Sequence, residues 1–359
     1  MSVLPNPAFW HGKRVFLTGH TGFKGSWLSL WLQSMGAHVR GFALDPPSEQ
    51  ALFTEAFVGE GMMGSQIGDI RDAAAVASAM ADFGPEIVIH LAAQSLVRLS
   101  YDEPIATIAT NVMGTAHVLE ASRRVGSVKA ILNVTTDKCY ENREWVWSYR
   151  ETEHLGGHDP YSASKACAEL VTAAYRRSFL ERDGIAVATA RAGNVIGGGD
   201  WAEDRFVPDI LRAFEKSQPV VIRNPSATRP WQHVLEPLSG YLVLIERLFI
   251  ESAPWAEPWN FGPHDGDAQP VSWIVEKMIA SWGEGASWKK DVAWNPHEAA
   301  FLKLDISKAQ NRLNWEPRWT LSEALIRIVD WHRAWRADSD MRVYCLAEIE
   351  EYVSAQAST

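Results

Sequence analysis

Apolar and polar positions follow two periods along the first half of this chain. Short runs that are apolar on both faces, at residues 14–17, 37–44, 87–91, 130–134 and 186–191, have the length and texture of strands covered on both sides. Between them, residues 22–35, 105–125 and 160–182 carry the wider apolar spacing of amphipathic helices. Strand and helix in alternation predict an α/β chain with a doubly wound, parallel, Rossmann-type sheet flanked by helices. After Asn194 the texture changes to loops rich in glycine and proline, with Gly197, Gly198, Gly199, Pro208, Pro219, Pro225 and Pro230 separating shorter elements. A smaller, mixed α/β C-terminal domain is expected there. Strand-like character returns at 259–261, so the boundary is discontinuous: residues 1–193 with a return at about 234–262 form one domain, and 194–233 with 263–359 form the other.

Composition narrows the class of protein. At 359 residues, 47% hydrophobic and 22% charged, the chain can bury a large core, and its net charge of -10 disfavours nucleic acid or an anionic membrane as a partner. Three cysteines without CxxC spacing suggest neither a disulfide framework nor a metal site. No targeting or membrane-spanning segment is visible, and a cytoplasmic location is expected. The tryptophans at 255, 259, 273, 282, 288 and 294 read as core packing rather than sugar stacking.

The first strand runs into Gly19-His20-Thr21-Gly22-Phe23-Lys24-Gly25, with glycines three residues apart at the mouth of a helix. Such a turn lets the backbone approach a pyrophosphate and aims helix N–H groups at it, so this loop is the candidate dinucleotide site. His20 and Lys24 either add positive charge near the phosphates or are solvated side chains. Asp45, twenty residues beyond Gly25, is placed to accept from the adenosine ribose, which argues for NAD over NADP.

Asp159-Pro160 has the form of a helix start, which puts Tyr161 and Lys165 on one face. A phenol near pKa ~10 is a poor base, and an ammonium one turn away stabilises its phenolate. Spacing alone equally describes a packed tyrosine that has a lysine four residues on. Thr135-Thr136-Asp137-Lys138-Cys139-Tyr140 follows the strand at 130–134, so these side chains emerge at the carboxyl edge of the sheet, where ligands of such folds bind. Asp137 and Lys138 read there as a surface ion pair or as an acid–base couple.

The order of these features settles on one family. The glycine turn, Gly68-Asp69-Ile70-Arg71-Asp72, Leu91-Ala92-Ala93-Gln94, Asn111-Val112-Met113-Gly114-Thr115 and the Tyr-x-x-x-Lys at 161–165 come in the sequence seen in extended short-chain dehydrogenase/reductases, and the chain resembles that superfamily along nearly its whole length. The resemblance implies that Gly19, Thr21, Gly22, Phe23, Lys24, Gly25, Asp45, Asp69, Ile70, Leu91, Ala92 and Ala93 line an NAD site, with Tyr161 and Lys165 over the nicotinamide. Thr136, Asp137 and Lys138 resemble the acid–base segment of the sugar-nucleotide 4,6-dehydratases. Lysine at 138, where many dTDP-glucose enzymes have glutamate, resembles those acting on CDP-glucose, as do the glycine loop and the runs 191–201 and 229–234. A 4,6-dehydratase oxidises C4, loses water across C5 and C6, and reduces C6, supplying precursors of deoxysugars and lipopolysaccharide O-antigen. Tyr161 is implied to take the 4-hydroxyl proton beside Thr136, Asp137 to protonate the leaving 6-hydroxyl, and Lys138 to abstract the C5 proton once neutral. Asn194, Val207 and Arg229 are implied on the substrate; Arg223 and His297 are further candidates, and Arg98 is either a substrate contact or a structural ion pair. The helices at 105–125 and 160–182 are implied to form a four-helix homodimer interface, with a tetramer as the alternative. A sugar-nucleotide C4 epimerase, another nucleotide-sugar dehydratase and a non-catalytic dinucleotide sensor are the competing readings.

Overall fold

The computed structural model describes residues 2–283, 285–291 and 301–355. Trp294 and His297 lie outside the described residues. The strands, in chain order, are β1 (Arg14–Thr18), β2 (His38–Ala43), β3 (Gly64–Ile67), β4 (Ile87–His90), β5 (Ala130–Val134), β6 (Ala186–Ala192), β7 (Asn194–Ile196), β8 (Val220–Ile222), β9 (Thr228–His233), β10 (Pro258–Phe261), β11 (Ala268–Pro270) and β12 (Trp288–Lys290). Among the described residues seven of them form one sheet in the order β3-β2-β1-β4-β5-β6-β10, and every pairing in it is parallel. The first six follow the doubly wound order, whose switch point falls between β1 and β4. Both faces are covered, so β4, β5 and β6 are buried at every position, as their unbroken apolar runs require.

β3 departs from the sequence expectation. Its residues, Gly-Ser-Gln-Ile, carry no apolar run because the strand lies at the sheet edge, half-buried at Gly64 and exposed beyond it. β10 adds the opposite edge, parallel to β6. The two long helices of the sequence reading are each interrupted by a π turn: Pro104–Ile108 passes through Ala109–Met113 into Gly114–Arg124, and Pro160–Tyr175 ends in Arg176–Leu180.

Two small sheets, β11-β9-β7 and β12-β8, stand beyond the carboxyl edge and carry their own apolar cluster around Ile210, Trp231, Ile274 and Ile328. Trp255 and Trp259 stack at 5.5 Å inside the main core, while Trp273, Trp282 and Trp288 pack partly buried on the smaller cluster. The helix Met341–Ser354 packs on Phe23–Ser34, with Trp31 edge-on to Tyr352 at 5.6 Å. No helix among the described residues is long and apolar enough to cross a membrane.

Candidate active site

The glycine turn is shaped by contacts only glycine permits. Gly19 sits at φ +78°, and a Cβ there would lie 2.7 Å from the Ala92 nitrogen; a Cβ on Gly25 would meet the Gly19 carbonyl at 2.0 Å. Gly22 differs, since a Cβ there would find only the Gly19 oxygen, at 3.5 Å. That open space lies over the start of helix Phe23–Ser34, which has no side-chain cap. Its first N–H groups are therefore available to an anion, and the turn fits a dinucleotide pyrophosphate.

The second wall is built by Thr18, whose hydroxyl binds His90 Nδ1 at 2.7 Å and accepts from the Leu91 and Ala92 N–H groups at 3.2 Å each. His90 is buried, which depresses its pKa to about 3, so a neutral imidazole bridges Thr18 and Thr115. Asn111, in the π turn, receives the Gln94 N–H and donates to the Gln94 carbonyl and to Ser164 Oγ, all at 2.9 Å. The Leu91-Ala92-Ala93 turn is thereby tied to the helix that carries Tyr161.

His20 corrects the sequence reading in both its forms. The ring is fully buried against Gly41, bonded to Ser65 Oγ at 2.7 Å, and burial lowers its pKa to about 4. It is a neutral packing residue rather than a cation or a solvated side chain. Lys24 does face the site, half-buried, and burial first, then the charges of Arg205 and Lys165, bring its pKa down to about 7. Asp45 is exposed just past β2. Asp69 binds its own neighbour Arg71, which holds its carboxyl below the usual range, and Ile70 is buried against Gly114.

Tyr161 and Lys165 are both buried on one face of Pro160–Tyr175, whose start is capped by Asp159. Burial raises the Tyr161 pKa; a hydrogen bond with Thr136 opposes that rise, and the strongest cationic influence on the phenol is Arg205 rather than Lys165. The Lys165 ammonium instead donates to the Val134 carbonyl at 3.2 Å, and burial brings its pKa to about 8. Arg205, which the sequence reading did not single out, bonds Asp200 at 3.0 Å and Ser95 Oγ at 2.8 Å. Its place in the glycine-rich stretch after β7 gives no periodic signal that could have marked it.

Asp137–Cys139 form a short 3₁₀ turn just past β5, capped by Thr136, whose hydroxyl accepts from the Lys138 N–H. Thr136 donates to Asp137 Oδ1 at 2.9 Å, and Lys138 Nζ reaches the same oxygen at 3.4 Å and Asn194 Oδ1 at 3.3 Å. Asp137 is fully buried, and its Oδ2 has no hydrogen-bond partner among the described residues. A Cβ on Gly193 would stand 3.2 Å from that oxygen. A buried, unpartnered carboxylate oxygen is costly unless a proton or a ligand hydroxyl completes it.

Of the substrate-side candidates, Arg98 and Arg223 converge on one carboxylate, Asp204, at 3.2 and 3.8 Å, so the ion pair foreseen for Arg98 exists. Val207 is buried in the helix Phe206–Glu215, and Arg229 lies on β9, donating to the Thr228 carbonyl. A cleft of about 700 Å³ lined by Thr54, Glu215, Trp335 and Asp340 contains none of these residues.

Known proteins resemble the chain closely. The family model for GDP-mannose 4,6 dehydratase matches residues 16–256. A CDP-glucose 4,6-dehydratase from Salmonella typhimurium is 59% identical over 352 residues, 97% of this chain and 98% of that one. A dTDP-glucose 4,6-dehydratase from Streptomyces antibioticus is 28% identical over 270 residues, 75% and 76% of the two chains. Among solved structures, a dTDP-glucose 4,6-dehydratase from Streptomyces venezuelae with NAD and TYD bound superposes with a TM-score of 0.76 at 22% identity, covering 91% of this chain and 99% of that one. A UDP-glucose 4-epimerase from Stenotrophomonas maltophila gives 0.79 at 20%, covering 91% and 100%.

Proposed function

We propose a function from family membership: the chain belongs to the GDP-mannose 4,6 dehydratase family, within the extended short-chain dehydrogenase/reductases, and is an NAD-dependent hydro-lyase that converts CDP-glucose into CDP-4-keto-6-deoxyglucose. The observation that carries the reading is the 59% identity to a CDP-glucose 4,6-dehydratase along nearly the whole of both chains. The buried Asp137 carboxylate supports dehydration over C4 epimerisation, since an epimerase leaves the 6-hydroxyl in place and needs no acid to expel it. A mere dinucleotide sensor would need neither Asp137 nor Tyr161.

The Gly19–Gly25 turn, Asp45, Asp69, Ile70 and the 91–93 turn would hold NAD, which when bound would supply the oxidant for C4 and, once reduced, the reductant for C6. Tyr161 receives the 4-hydroxyl proton, with Thr136 beside it. The C4 ketone acidifies C5–H, whose proton passes to Lys138 while its electron pair forms the C5–C6 double bond. Asp137 gives its proton to the departing 6-hydroxyl, which leaves as water. When C6 is reduced, Lys138 returns the proton to C5. Tyr161 has then gained one proton and Asp137 has lost one, and Thr136 stands between them for the exchange.

Asn194, Val207, Arg223 and Arg229 are read as substrate contacts. Ile105, Met113 and Leu170, 78%, 50% and 58% exposed on the two interrupted helices, support a homodimer through that face. Three unbridged cysteines fit the cytoplasm. Incubation with CDP-glucose and NAD is expected to give a 4-keto-6-deoxy product with an alkali-induced ultraviolet chromophore; CDP-galactose as product would overturn the reading. Parallel runs with dTDP-glucose and GDP-mannose check the base, CDP-glucose being the expected substrate.

A further inference from the structure

Behind the site lies a buried group that the chemistry above does not use. Glu169, 4% exposed, follows Tyr161 and Lys165 at four-residue spacing and shares their helix face. Its carboxylate accepts four hydrogen bonds: from Thr135 Oγ1 at 2.5 Å, Thr189 Oγ1 at 2.7 Å, Arg191 Nε at 2.9 Å and Arg191 Nη2 at 2.8 Å. Arg191 is itself 2% exposed and sends Nη1 to the Tyr140 hydroxyl at 2.8 Å and to the Glu151 carbonyl at 3.1 Å. Tyr140 passes its own proton to Asn260 Oδ1 at 2.7 Å, on edge strand β10.

Thr135 and Tyr140 bracket the turn that bears Thr136, Asp137 and Lys138. That turn is thus pinned at both ends by one ion pair, and the carboxylate of the pair rides on the helix of Tyr161 and Lys165. Four donors fill the acceptor sites of a carboxylate, so the joint has no spare position into which it could slip.

We propose that Glu169 and Arg191 are positioning residues that hold the acid–base turn in register with Tyr161 and Lys165. The proposal rests on the dehydratase reading, because only a reaction that joins oxidation to elimination needs these two sets of groups on one sugar at once. Oxidation at C4 uses Tyr161 and Lys165 of the helix and takes only Thr136 from the turn, whereas elimination needs Asp137 and the C5 base within reach of the oxidised sugar. A loosened joint therefore spares the first step and slows the second.

The test uses the full-length enzyme with NAD and CDP-glucose and the variants Glu169→Gln, Thr135→Val and Tyr140→Phe. The last two remove one hydroxyl each and keep the ion pair, so they serve if Glu169→Gln does not fold. Absorbance at 340 nm after rapid mixing reports C4 oxidation, the alkali chromophore reports product, and thermal melting reports folding. The expected result is oxidation close to the parent rate, product formation slowed by about 10²-fold, and a 340 nm signal that persists through the steady state. Variants that melt like the parent and either lower both steps together or leave both unchanged overturn the proposal. A parent enzyme that gives no 340 nm change and no keto product with CDP-glucose overturns the substrate reading instead, so the two failures are distinguishable.

Discussion

Two arginine–carboxylate contacts serve one site from opposite sides. Arg191–Glu169 lies beneath the sheet edge with side chains 3% and 4% exposed, whereas Arg98–Asp204 lies at the mouth with 42% and 46% exposed. Burial pushes the Glu169 carboxyl up, but Arg191 and the hydroxyl donors outweigh it and hold it charged below the usual range. A pair of that kind can be neither hydrated nor exchanged, and it behaves as fixed framework. Arg98 and Arg223 share one exposed carboxylate, and on the proposed reading a substrate diphosphate would compete with it at small cost. The same two residue types therefore make a fixed floor in one place and an exchangeable latch in the other.

Substitutions that test this contrast fall in a definite order. The largest effect is expected inside the floor's working end: Asp137→Asn should slow product formation by about 10²–10⁴-fold while the 340 nm signal of C4 oxidation survives. Glu169→Ala should destabilise the fold by about 3–5 kcal/mol in urea unfolding, because it leaves Arg191 buried without its partner. The double variant Glu169→Met with Arg191→Met should regain most of that stability without regaining product, a result that would separate register from folding.

A third test concerns Glu236, fully buried at the start of helix Leu235–Glu251 and raised by burial from 4.5 to about 7. Between those values the folded protein holds a proton that the unfolded chain has released. This group's contribution is present in full below pH 4.5 and is lost as the pH rises through 7. Urea midpoints should fall by the equivalent of a few kcal/mol (about 1.4 kcal/mol per unit) across that window, and Glu236→Gln should flatten the fall. Smallest of all, Arg98→Ala should change folding stability by less than about 1 kcal/mol and act on KM for CDP-glucose. A large loss of stability at Arg98 would erase the distinction between floor and latch.

The sequence exposed what repeats locally. Strands apolar on both faces, glycines at three-residue spacing and a capped helix with Tyr161 and Lys165 on one side are all patterns a few residues long, and each reappears in the structure. What it concealed is non-local or polar. β3 has no apolar signal because it is an edge. The π turn at Ala109–Met113 leaves the helical period nearly intact, so the run that begins at Asn111 marks the family but not the turn or the bonds that Asn111 makes to Gln94 and Ser164. Glu169 and Arg191 lie on different elements, twenty-two residues apart, and meet only when β6 docks beside the helix. His20 misled for a related reason: its ring turns under Gly41, a contact that depends on β2 pairing with β1.

The packing of helix Met341–Ser354 on helix Phe23–Ser34 bears on how the molecule is made. The outer face of the helix that opens at the glycine turn is covered by residues more than three hundred positions later, including Tyr352 against Trp31. During synthesis β1 and that helix leave the ribosome with this face bare, and it stays bare until Met341–Ser354 has been made. Trp31 is thus a transient burden on the nascent chain, which a chaperone or prompt translation of Met341–Ser354 has to cover.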